Sequence, residues 1–444
     1  MHNSLVAFQR VYQRWGFPAG FGLLLTFGPT LSGAIIGTNP PAQPLNLERI
    51  AALPRAQQSV WKAYWENSTK QGQADRAFFR VELRQHGIPQ PVVPPAGSSA
   101  SRLPLNQTDT WYGESKARSI ANNIVSFQTP AGGWSKNLDL TQHPRAPGEY
   151  FAPNNGSRYP AQADFDMPRD ARWDYVGTFD NGATTTEMRF LAKVITATGT
   201  NTPATYRQAF QHGLDYIFAA QYPNGGWPQV WPLQGGYHDA ITYNDNAMLN
   251  VFTLLQNVSG TNSEFAFVPE KVRHRAAVSL QHGIACVLAT QIVVDGRRTV
   301  WCQQHDALTL QPASARNYEM PAQVSGESAD LMIFLMEQPD PGPEIIAAVK
   351  AAAAWFEKTR ISDRDYTFNA EKGRQLVPAP GNGPLWARDY EIGTDRPVFG
   401  DRDKSLHDDV NEISKERRNG YSWYGRAPER ALEQYAGWKK QHAP

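Results

Sequence analysis

The sequence predicts a mainly α-helical protein whose helix hairpins are arranged around an axis, an α/α toroid. Apolar residues recur at helical spacing through most of the chain from about residue 106. A turn recurs between these runs, as QTPAGGW at 128–134, as QYPNGGW at 221–227 and as a weaker copy over 291–301. Helical units that alternate with one recurring turn are typical of repeat architectures. The connecting loops of a toroid collect at one end, so long irregular loops are expected to form a substrate cleft there.

Length and composition fit one large globular domain with or without an extension. The chain has 444 residues, 41% of them hydrophobic, and its 43 Lys and Arg residues nearly balance 42 Asp and Glu residues. A net charge near +1 argues against a protein that binds polyanions with its whole surface, and no nucleic-acid partner is expected. A local basic patch is compatible with this balance, and we expect a monomer.

An uncharged N-terminal segment predicts export. No charged residue occurs between Arg14 and Glu48, and the apolar run GFGLLLTFGPTLSGAIIG follows Arg10 and Arg14. A basic segment before a short apolar run indicates a signal peptide, here assigned to residues 1–36, with no clear cleavage site. An uncleaved membrane anchor is the alternative. Export predicts a secreted or periplasmic protein that has no membrane contact after signal removal.

The rest of the chain divides by composition. Residues 37–105 are predicted to be Pro-rich linkers around a helical N-terminal extension over about 48–86, and residues 106–444 the toroid. The stretch over about 360–427 has few helical runs and many arginines, and long loops of this kind are usually functional or disordered. Its aromatic content favours order.

Helix ends and cysteines give more local expectations. Thr202 and Pro203 fit the N-cap and first residue of a helix, and residues 269–291 and 342–359 also have helical spacing. Export permits a disulfide between the two cysteines of the chain, and two buried thiols are the alternative. These cysteines are Cys286 and Cys302.

Two acidic segments precede apolar runs, GTFDNGATTTEMRFL at 177–191 and ITYNDNAMLNVF at 241–252. Helix capping explains many Asp and Asn residues at such places. In the first segment a capping box of Thr184 and Glu187 already starts the helix, which leaves the preceding Asp-Asn pair without that role. In the second, Thr242 and Asp245 themselves fit a box, so capping and a functional role both remain open.

Several further motifs, taken in order, carry a family resemblance. They are TFDNGATTTEMRFL, GGWPQVWPL, TYNDNAM, WCQQHDALTLQPASARNYEMP, SGESADLMIFLM, ARDYEIGTDRPVF and ERRNGYSWYG. Over about 106–427 the chain resembles the pectate lyases of polysaccharide lyase family ten. The resemblance implies an (α/α)3 toroid and calcium-assisted β-elimination on polygalacturonate.

The resemblance also implies roles for particular residues. The implied calcium ligands are Asp180, Asn181 and Asp245. The implied catalytic base is Arg402. The implied partners of substrate carboxylates are Arg316, Arg388 and Arg417, with the adjacent Arg418 as an alternative to the last. Relatives usually have a glycine where this chain has Lys404, so the shape of that loop is expected to differ.

These residue types suit the implied chemistry. Removal of the proton beside a uronate carboxylate places negative charge on the carboxyl oxygens, and a guanidinium can bind them with two parallel hydrogen bonds. Calcium takes about 6 to 8 oxygen ligands. The protein ligands supply three or four of these, so water and substrate are expected to supply the others. An arginine base requires a large loss of its usual basicity, which favours activity at alkaline pH.

Other functions are compatible with parts of the pattern. An inverting glycoside hydrolase would need two carboxylates, for which Asp180 and Glu327 are candidates. HDDVNE at 407–412 loosely resembles the acidic metal motif of terpene cyclases. A non-catalytic pectate-binding protein would stack sugars on exposed indoles. The candidate indoles are Trp134, Trp227, Trp231 and Trp423.

Overall fold

The computed structural model describes residues 35–97, 102–156, 163–260 and 263–442. The first 34 residues of the predicted export signal lie outside these ranges. Within them, no helix combines the length and apolar character needed to cross a bilayer.

The predicted mainly helical character is confirmed, with eleven α-helices in the described ranges. The first five are α1 Leu47–Ala51, α2 Arg55–Gln85, α3 Ser115–Ser126, α4 Thr185–Thr198 and α5 Ala204–Ala220. The other six are α6 Ala247–Ser259, α7 Glu270–Thr290, α8 Gly326–Met336, α9 Pro343–Lys358, α10 Lys415–Gly420 and α11 Ala427–Gln441.

Short antiparallel strands join the loops. Two three-stranded sheets contain β1 Gly37–Thr38 with β13 Ser405–His407 and β12 Phe399–Gly400, and β2 Ile241–Thr242 with β5 Gln304–His305 and β6 Pro312–Ala313. The pairs are β3 Val293–Val294 with β4 Arg297–Arg298, β7 Gln323–Val324 with β11 Asp389–Tyr390, β8 Arg364–Asn369 with β9 Gly373–Pro378, and β10 Trp386–Ala387 with β14 Tyr424–Gly425.

Helices α3 to α9 pack as hairpins in chain order. Helix α4 contacts α3 and α5, α6 contacts α7, and α8 contacts α9. Helices α4, α6 and α8 also form a row, because α6 contacts both of the others. Their apolar side chains lie in the largest core cluster, which explains why α8 has apolar residues on nearly every side. Closure of this row into an (α/α)3 toroid stays a prediction.

The recurring turn has the same hydrogen bonds in all three copies. Its glutamine amide donates once within its own turn and once to a carbonyl of the next hairpin. The acceptors in the neighbouring helices are Ala209 for Gln128, Ser279 for Gln221 and Ala348 for Gln291, at 2.8, 2.9 and 3.0 Å. Each glutamine therefore joins successive hairpins, and the weak third copy predicted from the sequence is structurally equivalent.

The tryptophan of each copy is a core residue. Trp134, Trp227 and Trp301 each donate the indole N–H to a carbonyl of the preceding helix, at 2.7 to 2.8 Å. All three are fully buried, as is Trp423, while Trp231 is 3% exposed. Sugar stacking on Trp134, Trp227, Trp231 or Trp423 is thus excluded, because the ring faces are covered by protein atoms.

Helix boundaries agree closely with the sequence. Helices α7 and α9 confirm the runs predicted at 269–291 and 342–359. Helix α5 begins one residue later than predicted, because Pro203 has the extended backbone of a cap residue. The two cysteines are both buried and unpaired, so the free-thiol alternative is correct.

The N-terminal helices pack on the hairpins. Trp61 of α2 lies against Tyr222, and the Tyr64 hydroxyl donates to the Ala220 carbonyl at 2.9 Å. Further along α2, the Ser68 hydroxyl accepts from the Leu233 amide at 2.8 Å. Helix α2 thus contacts the second recurring turn and the loop that follows it. A domain boundary near residue 105 stays a prediction.

We expect Gln221→Met to lower the free energy of unfolding by about 1–3 kcal/mol, because two buried carbonyls would lose their donor. Gln208→Met is the matched control, since Gln208 is an exposed residue of α5 and its replacement should change stability by less than about 0.5 kcal/mol. Urea denaturation of both variants measures the difference. Equal stabilities would contradict the joining role of the amide.

Candidate active site

Two matching 3-10 turns precede α4 and α6. They comprise Asp180–Gly182 and Asn244–Asn246, and they contact each other. Asn181 and Asp245 have the same left-handed backbone, with φ 51° and ψ 30°. Asn and Asp tolerate this conformation better than most residues, since their short polar side chains bond locally. The structure therefore brings the predicted metal ligands together on two equivalent turns.

Neither predicted capping box forms. Thr184 directly precedes α4, but its hydroxyl donates to the Thr178 carbonyl at 2.8 Å and accepts from the Trp134 amide. The Thr242 hydroxyl donates to the Ala240 carbonyl, and α6 begins two residues after Asp245. A tertiary contact thus replaces the cap at Thr184 and a local bond replaces it at Thr242, and Asp245 has no capping role in α6.

Asp180 is held by two donors. It is 3% exposed, and it accepts from Lys136 Nζ at 2.6 Å and from Gln229 Nε2 at 3.1 Å. The Lys136 ammonium also lies 3.2 Å from the centre of the Tyr175 ring. Burial alone would lower the pKa of Lys136, but the charge of Asp180 and its hydrogen bond raise it above its ordinary value. Lys136 therefore carries a positive charge beside this turn.

Asp245 faces an open pocket, yet it has an unfavourable electrostatic environment. Burial of its carboxyl group among surrounding protein atoms raises its pKa to about 6, and the charges of Asp180 and Glu327 add to this effect. Arg388 and Arg316 oppose the shift without cancelling it. Burial is the largest cause of the raised pKa of Asp245, and the two neighbouring carboxylates add negative charge that the two arginines only partly offset.

The two turns fit a hard cation with an incomplete protein ligand set. Asp180 and Asp245 provide carboxylates, and Asn181 provides an amide oxygen on an exposed side chain. In the described part of the chain, no three His, Cys, Asp or Glu side chains form a metal-binding group. Calcium accepts amide and water oxygens as well as carboxylates. The excess negative charge at Asp245 supports this fit, while Lys136 competes for one oxygen of Asp180.

Three of the predicted arginines surround one tyrosine ring. The guanidinium carbons of Arg417, Arg316 and Arg402 lie 4.3, 5.0 and 5.5 Å from the centre of the Tyr318 ring. A planar guanidinium interacts favourably with an aromatic face at these distances. Tyr318 thus gathers arginines that are up to 101 residues apart in the chain.

A second tyrosine extends the cluster to the fourth arginine. Arg388 and Arg316 lie 4.7 and 5.8 Å from the centre of the Tyr421 ring, which packs edge-on against Tyr318 at 5.2 Å. A pocket of about 360 Å³ has Asp245, Arg316 and Arg388 in its wall. One of the two turns and two arginines of the cluster therefore line the same pocket.

Each arginine of the cluster has a carboxylate partner. Arg316 binds Glu319 through two guanidinium nitrogens, and Arg388 binds Glu327 at 2.5 Å. Both pairs lie in the wall of the pocket or beside it. Burial would raise the pKa of Glu319, but Arg316 and Tyr421 hold it at about 2. Glu319 is thus an ionised group at the base of the cluster.

Glu416 is shared by the other two arginines. It accepts from Arg402 at 2.8 and 3.2 Å and from Arg417 at 2.7 and 2.5 Å. Burial would raise its pKa, but the hydrogen bonds and charges of both arginines lower it to about 2. Arg402 therefore lies in a bidentate ion pair in this state of the protein.

The neighbouring Arg418 lies outside the cluster. Its guanidinium donates to the backbone carbonyls of Asn411 and Lys372, at 2.5 and 2.9 Å. Lys404 has a φ of 75°, the left-handed region that favours glycine, and its ammonium donates to the Ala163 carbonyl. The backbone thus keeps a glycine-like conformation there despite the side chain.

Sequence reasoning identified Arg388 but missed the three residues that occupy the same repeat position. Trp386 donates its indole N–H to the Phe356 carbonyl, as the three repeat tryptophans do to their own helices. The residue two places after each tryptophan lies beside the turns or the cluster: Lys136, Gln229, Gln303 and Arg388. Alignment of the repeats would have indicated these residues.

Other site residues carry no sequence signal. Arg374 and Tyr366 of the β8–β9 hairpin line the same pocket. The acidic segment 407–412, which resembles a metal motif in the sequence, has a local structural role. Its Asp409 caps a short 3-10 turn by accepting from the Asn411 amide. Local capping rather than metal binding accounts for that acidic run.

A helical scaffold with four clustered arginines beside two acidic turns defines a protein suited to a polyanion and a cation. Residues 128–432 match the family model described as pectic acid lyase. A family 10 polysaccharide lyase from Cellvibrio cellulosa is 33% identical, with 74% of this chain and 95% of that chain covered and a TM-score of 0.62. Comparison with curated protein sequences gives no match.

A second solved structure is an aspartate-to-alanine mutant of that lyase in complex with trigalacturonic acid. It is 32% identical, and the match covers 74% of this chain and 96% of that chain with a TM-score of 0.61. The chain belongs to the pectate lyases of polysaccharide lyase family 10. It is accordingly a polysaccharide-degrading enzyme.

We expect Glu319→Gln to lower the free energy of unfolding by about 3 kcal/mol at neutral pH. The Glu319 carboxyl has a pKa of about 2 in the folded protein, lower than in the unfolded chain, so its ionised form stabilises the fold at any pH above the unfolded pKa. The loss should shrink as the pH falls from about 4.5 towards 2, where the wild-type carboxyl also becomes protonated. Glu357→Gln, at an exposed pair with Arg360, is the control. Denaturation curves between pH 2 and 7 measure both, and a pH-independent difference would refute the prediction.

Proposed function

We propose that this chain is a calcium-dependent pectate lyase that cleaves polygalacturonate by β-elimination, with Arg402 as the base. The observation that carries the proposal is the convergence of Arg316, Arg402 and Arg417 on the Tyr318 ring. Guanidinium groups so close together are suited to a ligand with regularly spaced carboxylates. The trigalacturonic acid in the related structure supports polygalacturonate as this ligand.

The arginines have separable tasks in this proposal. Arg316 and Arg388 are in the pocket wall beside Asp245, so they are assigned to the carboxylates of bound galacturonate residues. Arg417 is 4% exposed and remains paired with Glu416, so it is assigned to a carboxylate deeper in the cluster. Arg374 adds a cation at the rim of the same pocket.

Asp180, Asn181 and Asp245 would hold calcium, with water and a substrate carboxylate as the remaining ligands. When bound, the ion would neutralise the substrate carboxylate and make the adjacent C–H group more acidic. Lys136 shares Asp180 in the structure, so it supplies positive charge beside the proposed calcium ligands. Excess negative charge at Asp245 supports a cation at this place.

The elimination requires one proton acceptor and one departing oxygen. Arg402 would take the proton from the carbon beside the carboxylate, and the electron pair of that C–H bond would form the new carbon–carbon double bond. The bond from the neighbouring carbon to the glycosidic oxygen then breaks, and that oxygen leaves with a proton from water or from a protonated donor. The product is an unsaturated uronide.

Before Arg402 can act as a base, its guanidinium must lose a proton and separate from Glu416, the carboxylate it is paired with. A guanidinium has an ordinary pKa above about 12, so only a small neutral fraction is available at moderately alkaline pH. Neighbouring positive charges favour the neutral form, and the cluster around Tyr318 provides two, Arg316 and Arg417. The ion pair with Glu416 has the opposite effect. Release of Arg402 from Glu416 is therefore part of the proposal, and Glu416 keeps Arg417 as a partner.

The hydrolase alternative has less support from the geometry. Its two candidate carboxylates are both engaged by cations, Asp180 by Lys136 and Glu327 by Arg388. A carboxylate that accepts from a cation is poorly suited to protonate a leaving group.

We include the α/α toroid and its substrate cleft in the proposed function. The row of α4, α6 and α8 beneath the two turns supports this architecture.

Incubation with polygalacturonate tests the proposed function. Elimination should raise the ultraviolet absorbance as conjugated uronide forms, and a calcium chelator should abolish the rise. Arg402→Ala should lower kcat by about 10²–10⁴-fold, as expected for loss of a general base. Arg396→Ala, at an exposed pair with Glu391, should keep wild-type activity. New reducing ends without ultraviolet absorbance would establish hydrolysis instead.

Glu416→Gln tests the arginine base more directly. Loss of a carboxylate beside the proposed base favours a neutral guanidinium, so the alkaline rise of kcat should move to lower pH. Glu371→Gln, at an exposed turn, is the control and should leave the profile in place. Measurement of kcat from pH 6 to 11 decides the matter, and a shift to higher pH would argue against Arg402 as the base.

A further inference from the structure

A segment before the family match reaches the arginine cluster. Strand β1 pairs antiparallel with β13, so that Gly37 lies opposite Leu406 and Thr38 opposite Ser405. The Asn39 amide then donates to the Lys404 carbonyl at 2.8 Å. The family model begins at residue 128, so this contact lies outside it. Strand β1 thus pairs with β13, the strand that directly follows the loop carrying Arg402.

The Asn39 side chain enters the loop that carries Arg316. It is 2% exposed, and its Nδ2 group lies 3.0 to 3.1 Å from the carbonyl oxygens of Arg316, Asn317 and Glu319. Its Oδ1 accepts from the Ser314 hydroxyl at 2.8 Å. The buried side-chain amide of Asn39 thus directs both its N–H donors and its oxygen acceptor to groups of a single loop.

The two arginine loops are also joined to each other. Asn317 Nδ2 donates to the Arg402 carbonyl at 2.7 Å. A continuous set of hydrogen bonds therefore runs from Asn39 through the Arg316 loop to the Arg402 loop. Neither loop lies in a helix, so regular helical hydrogen bonds do not fix these carbonyls. The Arg316 and Glu319 carbonyls also accept from the Glu319 and Ala315 amides of the same loop, so Asn39 adds a further donor to them. The Asn317 carbonyl accepts from Asn39 at 3.0 Å, and a buried carbonyl without a donor costs about 1–3 kcal/mol, which favours retention of this contact.

We propose that Asn39 is a positioning residue of the active site and that it acts through Arg316 and Arg402. It touches neither guanidinium, but it fixes the backbone from which both side chains reach the Tyr318 ring. Misplacement of a reacting group by about 1 Å can cost about 10²-fold in rate. The inference about catalysis rests on the proposed function, whereas the effect on the loops does not.

Asn39→Ala and Asn39→Asp test this assignment with Thr38→Ala as the control. Thr38 is exposed and keeps its backbone pairing when shortened, so its variant should behave as wild type. We expect kcat/KM on polygalacturonate to fall about 10- to 100-fold in both Asn39 variants, at a temperature where circular dichroism shows full folding. Aspartate keeps the shape but presents an oxygen to three carbonyl oxygens, so it should not rescue activity.

A double-mutant cycle separates positioning from a loss of fold. In an Arg316→Ala background, Asn39→Ala should lower kcat/KM by a smaller factor than in the wild-type background, because one of the two groups that Asn39 positions is absent while Arg402 remains. Equal losses in both backgrounds would overturn the proposal.

Hydrogen exchange provides a readout that does not depend on catalysis. Asn39→Ala should speed amide exchange in segments 314–319 and 401–404, and Thr38→Ala should not. Unchanged exchange would overturn the inference. A wild-type protein without eliminase activity would instead count against the proposed function, and exchange would still decide the role of Asn39.

Discussion

The cost of holding several guanidinium groups close together determines how the site is built. Arg316, Arg402 and Arg417 share one tyrosine ring, and their mutual repulsion is offset by Glu319 and Glu416. The low pKa values of these two carboxyl groups reflect the same attraction. The glutamates thus neutralise cations that stay gathered around one ring, and in the proposed function substrate carboxylates pair with Arg316 and Arg388 in the pocket wall.

The helical scaffold serves this cluster by repetition. A glutamine joins successive hairpins, a tryptophan anchors each turn to its helix, and the residue two places later lies beside the site. Two of these residues also accept a hydrogen bond at their backbone carbonyl from a loop of the preceding unit. The Gln229 carbonyl accepts from the Phe179 amide, and the Arg388 carbonyl accepts from the Ser325 amide. One backbone pattern therefore delivers a lysine, two glutamines and an arginine to a common region.

Both halves of the site are held by internal ion pairs that compete with the proposed ligands. Lys136 occupies an oxygen of Asp180 where calcium is proposed, and Glu416 holds Arg402 where a neutral base is proposed. Such pairs keep buried charges from being left alone, which would be costly. In the proposed function they would make metal binding, substrate binding and proton transfer depend on one another, since each ligand would have to displace or share a partner.

Sequence alone determined the helical class, the recurring turn, the ends of α7 and α9, and the family, because these depend on local periodicity and on ordered motifs. Tertiary structure decided the rest. Thr184 lost its predicted capping role to contacts that include the distant Trp134 amide, Thr242 bonds locally to the Ala240 carbonyl instead of capping, and the four tryptophans proposed for sugar binding are core residues. The glutamate partners, the shared Tyr318 ring and the Asn39 contacts join residues up to 280 positions apart. No local pattern records such contacts, since they arise only when the loops are packed on the helices.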